Sequence, residues 1–321
     1  MQAIQIQRTG GPEVLTPAEV EQPQPGPGEV RLRVTAAGVN FIDVYHRTGL
    51  YPMPLPLIPG AEGAGVVNAV GPGVETVRVG DRVASTELQG AYAEYAVVPA
   101  DRVVPIPDGV SDEQAAAVLL QGLTAHYLVH DSYRVQAGDT VVVHAAAGGV
   151  GLLLTQLATK LGARVIGTVS ALEKEKLARD AGAAEIIGYD SIAEDVRRLT
   201  DGEGVPAVYD GVGRTTFDAS MASLRPHGVL VLYGQSSGLV PPFDPNRLQH
   251  AGSIYLTRPT LRHFVATPEE LTRRADHILG MVADGSLSVH IGGRYPLAEA
   301  GRAHTDLQSR RTTGKLLLVT D

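Results

Sequence analysis

Cysteine is absent from all 321 residues. That one gap removes disulfides, thiolate nucleophiles, Cys-His hydrolase chemistry and cysteine-ligated zinc together. Positive charge is in short supply: 27 Lys and Arg face 35 Asp and Glu, a net charge of -8. Proteins that bind nucleic acid or anionic membranes in general carry clustered positive charge, so neither partner is expected. The pairs Arg197-Arg198 and Arg310-Arg311 read as solvated helix faces. No apolar run nears the ~20 residues of a membrane span, and MQAIQIQRTGG lacks the apolar core of a secretory signal. The expectation is a soluble, cytoplasmic protein. Internal repeats and low-complexity tracts do not stand out.

What is present centres on Val141-Val142-Val143-His144-Ala145-Ala146-Ala147-Gly148-Gly149-Val150-Gly151. Three β-branched residues predict a buried parallel strand, and the glycines predict a tight turn into a helix. Laid over G-x-G-x-x-G, Ala146 takes the first position while Gly148 and Gly151 take the others. In such a turn the middle glycine admits a pyrophosphate to the backbone, and the last lets the helix pack on the strand. Free N–H groups at the helix start favour the anion.

The context supports that reading. After the turn, strands near Arg164–Val169, Glu185–Ile187, Ala207–Tyr209 and Val229–Tyr233 alternate with helices near Glu173–Ala181, Ile192–Leu199 and Thr216–Leu224. Such alternation predicts a doubly wound parallel sheet with helices on both faces, an α/β nucleotide domain over 125–266. Before it the chain is short strands punctuated by Gly and Pro, a β-rich, partly closed domain. Ser111-Asp112-Glu113-Gln114 has the form of a capping box opening a helix. Two helices and two strands after 267 are too few for a third domain. They are expected to rejoin the first, giving a discontinuous domain of 1–124 and 267–321 with a cleft between the halves.

The end of the strand after the turn reads Gly167-Thr168-Val169-Ser170, with Lys174 following and no carboxylate at the strand end. NAD-binding folds place an acid there for the ribose 2′-hydroxyl, whereas a hydroxyl and an ammonium suit a 2′-phosphate. The expected cofactor is NADPH. Lys174 also fits the solvated pattern Glu173-Lys174-Glu175-Lys176, in which neighbouring turns pair charges. Tyr189, at the next strand end, suits the adenine-ribose side. Gly211 and the run Tyr233, Gly234, Gln235, Ser236 lie at later strand ends, where ligands bind in open α/β folds. Simple turn glycines would look the same. His126 and His130 stand at i, i+4, but lack the glutamate of H-E-x-x-H and an evident third ligand, so no metal is expected.

The order of Asn40-Phe41-Ile42-Asp43, Gly80-Asp81-Arg82-Val83, Gly122-Leu123-Thr124-Ala125, the His144–Gly151 turn and Tyr255-Leu256-Thr257-Arg258-Pro259 resembles the zinc-free quinone oxidoreductases of the medium-chain dehydrogenase/reductase superfamily, the ζ-crystallin-like branch. The resemblance spans essentially the whole chain. It implies a GroES-like catalytic domain with an inserted Rossmann domain, NADPH as hydride donor and a homodimer. Carried over by position, it implies cofactor contacts at Thr124, Ala147, Gly148, Gly149, Val150, Gly151, Ser170, Lys174, Tyr189, Tyr233 to Ser236 and Arg258. It places Asn40, Asp43, Tyr45 and Tyr51 near the nicotinamide. One departure is Gln121, where the resemblance implies a lysine.

Without cysteine, and with Ala61 where zinc alcohol dehydrogenases carry the histidine of Gly-His-Glu, a metal-held alkoxide is not expected. A quinone accepts hydride without a Lewis acid if the rings are held close and in line. Donors such as Asn40, Tyr45 and Tyr51 would steady the hydroquinone anion, with Asp43 orienting a neighbour. Packing of the tyrosines at a domain edge, and an Asn-capped turn at 40, are equally compatible readings. Two alternatives share the cofactor: a C=C reductase of enones with Tyr51 as proton donor, and a non-catalytic NADPH-binding structural or RNA-binding protein. The apolar stretch Ser253–Thr257 reads as an edge strand suited to pairing with a twin.

Overall fold

The computed structural model describes residues 1–320. The chain divides into two compact units, Met1–Leu123 joined by the segment from Ala266 on, and Thr124–Val265. No helix among the described residues is long and apolar enough to cross a membrane.

The first unit opens with β1 (Gln2–Gln5), β2 (Thr16–Glu19) and the 11-residue β3 (Glu29–Val39), followed by α1 (Phe41–Thr48). Four short strands come next: β4 (Gly63–Val70), β5 (Arg82–Ser85), β6 (Tyr95–Pro99) and β7 (Val104–Pro105). Helix α2 (Asp112–Tyr127) leaves the unit. Its start is a reciprocal capping box: Ser111 N–H donates to Gln114 Oε1 and Gln114 N–H to Ser111 Oγ.

The second unit alternates without interruption. Its elements are β8 (Thr140–Val143), α3 (Gly149–Lys160), β9 (Arg164–Thr168), α4 (Leu172–Asp180), β10 (Glu185–Ile187), α5 (Ile192–Leu199) and β11 (Val205–Asp210). There follow α6 (Phe217–Ser223), β12 (Leu224–Leu232), α7 (Asn246–His250) and β13 (Tyr255–Thr257). The chain then returns to the first unit through α8 (Pro268–Ala283), β14 (Ile291–Pro296), α9 (Ala300–Gln308) and β15 (Lys315–Val319).

In the second unit the six strands are all parallel, in the order β10-β9-β8-β11-β12-β13. Central β11 is buried at every residue, as a strand covered on both faces must be, whereas edge strand β13 exposes Tyr255. Arg197, expected on a solvated face, instead donates to the carbonyls of Gly202, Glu203, Ala222 and Leu224 and ties α5 to the end of α6. Unsatisfied carbonyls at the helix and loop ends explain the capture.

In the first unit β3 is the spine. One edge pairs with β4, while the other pairs with β6 over its first half and with β15 over its second. Irregular register between β3 and β4 bends the sheet around an apolar core that includes Leu32, Val34, Val67, Val98 and Leu316. The end of β3 delivers the chain directly into α1, so the sheet fixes where that helix begins.

Candidate functional site

Helix α1 begins at Asn40, whose N–H donates to Asp43 Oδ2 at 2.9 Å. The Asn40 side chain is bonded at all four of its positions. Its Oδ1 accepts from Gln121 Nε2 at 2.6 Å and from Lys315 Nζ at 2.7 Å. Its Nδ2 donates to Glu62 Oε2 at 2.9 Å and to the Gly38 carbonyl at 3.2 Å. Two donors facing one end and two acceptors the other fix the amide orientation. Asn40 therefore keeps no N–H for a substrate oxygen, and the donor role expected of it gives way to holding the start of α1.

Behind Asn40 lies a buried ion pair. Lys315 Nζ meets Glu62 Oε2, with the side chains 2% and 0% exposed, and Glu62 Oε1 accepts the Leu120 N–H at 2.7 Å. A Cβ on residue 38 would lie 2.3 Å from Glu62 Oε2 and 2.7 Å from Lys315 Nζ, so glycine is required where the pair crosses β3. The ammonium's pKa is held down by burial, against the pull of Glu62.

Asp43 is also buried. Its Oδ2 accepts from Tyr92 Oη at 3.1 Å, and Tyr92 Oη lies 3.0 Å from His304 Nε2. Burial pushes the Asp43 carboxyl up to about 7, although the Asn40 N–H, the Lys315 charge and the Tyr92 hydroxyl all pull the other way. Burial holds His304 down to about 3. Tyr45, on α1, and Tyr51, just beyond it, are half-buried with rings edge-on at 5.3 Å, and the Tyr51 N–H donates to the Tyr45 carbonyl. Sequence reasoning missed Lys315, Tyr92 and His304. A lysine opening the otherwise apolar strand Lys315-Leu316-Leu317-Leu318-Val319 was the available signal.

In the second unit the glycine turn sits at the C-terminal end of β8. Ala145 adopts φ +51°, and the Gly148 N–H returns to its carbonyl at 2.8 Å. Gly148 caps α3, leaving Gly149, Val150 and Gly151 as its first turn. A Cβ on Gly151 would lie 2.2 Å from the Ala145 oxygen, so only glycine allows α3 to start this close to the strand. These residues fit a pyrophosphate: unsatisfied N–H groups at the start of a helix, held beside a backbone that no side chain screens.

The other expected cofactor residues gather at the same edge of the sheet. Ser170 and Lys174 follow β9, and partial burial holds the lysine's pKa down against Glu173. The Tyr189 hydroxyl accepts the Ala145 N–H at 3.1 Å, so it fastens the turn itself. Tyr233 lies over Gly211, where any Cβ would meet its hydroxyl at 2.7 Å, and a Cβ on Gly234 would strike the Gly211 oxygen at 2.6 Å. Gln235 is buried and Ser236 half-buried beside them. Arg258 Nη1 donates to the Tyr233 carbonyl at 3.0 Å. Thr124 and Ala147 are buried, and His126 and His130 bring their rings to 4.5 Å.

Two predictions test the first unit. Lys315→Met leaves Glu62 buried and unpaired, and chemical denaturation should show a loss of about 3–5 kcal/mol. Adding Gln121→Lys should recover at least half of it, because position 121 already reaches the same Asn40 oxygen. The second concerns pH. Folded Asp43 titrates near 7 and its unfolded counterpart near 3.8, so its contribution to stability is lost as pH rises through 7. Asp43→Asn removes that slope. Relative to the unaltered protein, its melting temperature should rise on going from about pH 5 to about pH 8.

With the geometry established, comparison with known proteins is informative. Residues 26–108 match the alcohol dehydrogenase GroES-like domain, and residues 149–283 match the zinc-binding dehydrogenase model. The chain is 48% identical to a quinone oxidoreductase of Pseudomonas aeruginosa over 98% of each. It is 40% identical to a 2-haloacrylate reductase of a Burkholderia species, over 99% of this chain and 98% of that one. The structure of the Escherichia coli quinone oxidoreductase complexed with NADPH superposes with a TM-score of 0.97 at 40% identity, covering 99% of this chain and 100% of that one. Sequence and structure agree over the full length, and the chain belongs to the quinone oxidoreductases of the medium-chain dehydrogenase/reductase superfamily.

Proposed function

We propose that this protein is an NADPH:quinone oxidoreductase that works by direct hydride transfer, without metal or flavin, in the cytoplasm. The observation that carries the reading is the chemistry gathered behind α1. The chain holds no cysteine, position 61 is alanine, and the Glu62 carboxylate is already matched by Lys315, Asn40 and the Leu120 N–H. That donor set suits positioning and offers a divalent ion no ready ligands. When bound, NADPH supplies the hydride, and an electron-poor quinone takes it up without Lewis-acid help.

The chain's own residues then have distinct tasks. The turn Ala147 to Gly151 receives the pyrophosphate, with Thr124, Gly211, Tyr233, Gly234, Gln235, Ser236 and Arg258 lining the path of the nicotinamide half. Ser170, Lys174 and Tyr189 take the 2′-phosphate end, where no carboxylate closes β9. Asn40 and Asp43 set the start of α1, and Tyr45 and Tyr51 present hydroxyls to the acceptor. A second reading, reduction of an activated C=C bond, is favoured by the resemblance to the 2-haloacrylate reductase. It requires a proton at carbon, with Tyr51 as the donor. The oligomer we propose is a homodimer formed through edge strand β13, whose Tyr255 is 62% exposed.

Three measurements test this reading. NADPH oxidation with benzoquinone, naphthoquinone and small enones should show fast quinone turnover that EDTA does not inhibit. If enones alone turn over, and Tyr51→Phe abolishes that turnover, the second reading replaces the first. Lys174→Ala should raise KM for NADPH about tenfold, the worth of one charge-assisted contact, with little change for NADH. Light scattering should give twice the chain mass, reduced toward one chain by Tyr255→Lys; a monomer at working concentration would remove the dimer.

A further inference from the structure

Thr168 at the end of β9, His144 just after β8 and Asp210 at the end of β11 are fully buried, as are Thr216 and Ser220 beside them. Asp210 Oδ1 accepts from Val212 N at 2.8 Å, Gly213 N at 2.9 Å and Thr216 Oγ1 at 2.9 Å. Its Oδ2 accepts from Thr216 Oγ1 and Ser220 Oγ, each at 2.8 Å. The carboxylate is surrounded by donors, so the single hydroxyl hydrogen of Ser220 points at it. The Ser220 oxygen must then accept from His144 Nε2, 2.9 Å away.

That assignment settles the other side of the ring. An imidazole with its proton on Nε2 has a lone pair at Nδ1. Thr168 Oγ1, 3.1 Å from Nδ1, donates to that lone pair and itself accepts the Ala145 N–H at 3.1 Å, a hydrogen it shares with the Tyr189 hydroxyl. Every donor in the chain faces the same way, from the Ala145 peptide through Thr168, His144 and Ser220 to Asp210. Burial also favours the neutral ring. Ala145 is the residue with φ +51°, outside the range alanine prefers, and its carbonyl defines the space that Gly151 leaves open.

We propose that His144 is a positioning residue for the cofactor. Held as the neutral Nε2–H tautomer, it links the turn after β8 to the turn after β11, so one carboxylate sets both. The proposal rests on the reading of the Ala145–Gly151 turn as the NADPH cradle, but it does not depend on which acceptor is reduced.

The test is a double-mutant cycle across the ring, using Thr168→Val and Ser220→Ala, which lie on opposite sides of His144. NADPH dissociation constants are measured by fluorescence titration of the full chain, alongside melting temperatures without cofactor. Each single variant should weaken NADPH by about tenfold, near the loss of one buried hydrogen bond. The double variant should be no worse than about twentyfold, well short of the hundredfold expected of independent sites. The kcat at saturating NADPH should stay within about threefold of the unaltered protein, since the chain acts on binding. Nitrogen NMR of the imidazole should show the proton on Nε2 in the unaltered protein. The proposal is overturned by multiplicative losses, by unchanged NADPH affinity even where melting temperatures fall, or by a proton on Nδ1. Failure of the unaltered protein to bind NADPH would instead remove the cofactor reading on which it stands.

Discussion

The first unit depends on one buried ion pair. Lys315 on β15 and Glu62 just before β4 meet across Gly38 on β3, and between them they hold Asn40 and the Leu120 N–H of α2. Replacing such a pair by apolar residues of similar volume is often neutral or stabilising, so stability alone does not account for it. Geometry does. Lys315 and Glu62 converge on Asn40, and an apolar substitute would leave Asn40 with unsatisfied amide positions and α1 with a loose beginning. The glycine at 38 shows the other side of the constraint, since the backbone there must stay bare for the pair to form.

The second unit reaches a similar end without a cation. Asp210 is buried among two backbone N–H groups and two hydroxyls. Neutral donors suffice because several converge on one carboxylate, which is how a buried charge is kept without an ion pair. The difference follows from local chain economy. At the end of β11 the turn itself supplies N–H groups, whereas Glu62 collects a single backbone N–H and needs a side-chain partner from elsewhere in the chain.

These differences explain what could be read from the sequence. The second unit was legible because its signals are local: a β-branched run, glycines within a few residues, then strand and helix periods that predict Glu185–Ile187 and Ile192–Leu199 to the residue. The capping box at Ser111 was legible for the same reason. The polar framework was not. Lys315 and Asn40 are 275 residues apart, and Tyr92 and His304 are 212 apart, so no spacing rule connects them. Asn40 was visible as a polar residue at a helix start, but three of its four side-chain partners, Glu62, Gln121 and Lys315, are far away in the sequence. Arg197 misled for the opposite reason: its own helix pattern implied solvent, while two of its carbonyl partners lie just past the helix at Gly202 and Glu203 and two at the end of α6 and the start of β12, which only the fold brings near.

Hydride transfer to an electron-poor acceptor explains why so much polar material serves the backbone. On the proposed metal-free reading, the reaction asks for little proton or Lewis-acid chemistry from side chains but is sensitive to placement, and a misplacement of about 1 Å can cost ~100-fold. Buried networks that fix the first residue of α1 and the turn after β8 answer that demand directly. They also separate two kinds of change. Tyr45 sits on an anchored helix with Tyr51 just beyond it, and Ser170 and Lys174 follow an anchored strand end. On the proposed reading, acceptor and nucleotide preference vary at those side chains, while Asn40, Glu62 and Lys315 hold the start of α1 and His144 and Asp210 hold the turn that binds the cofactor.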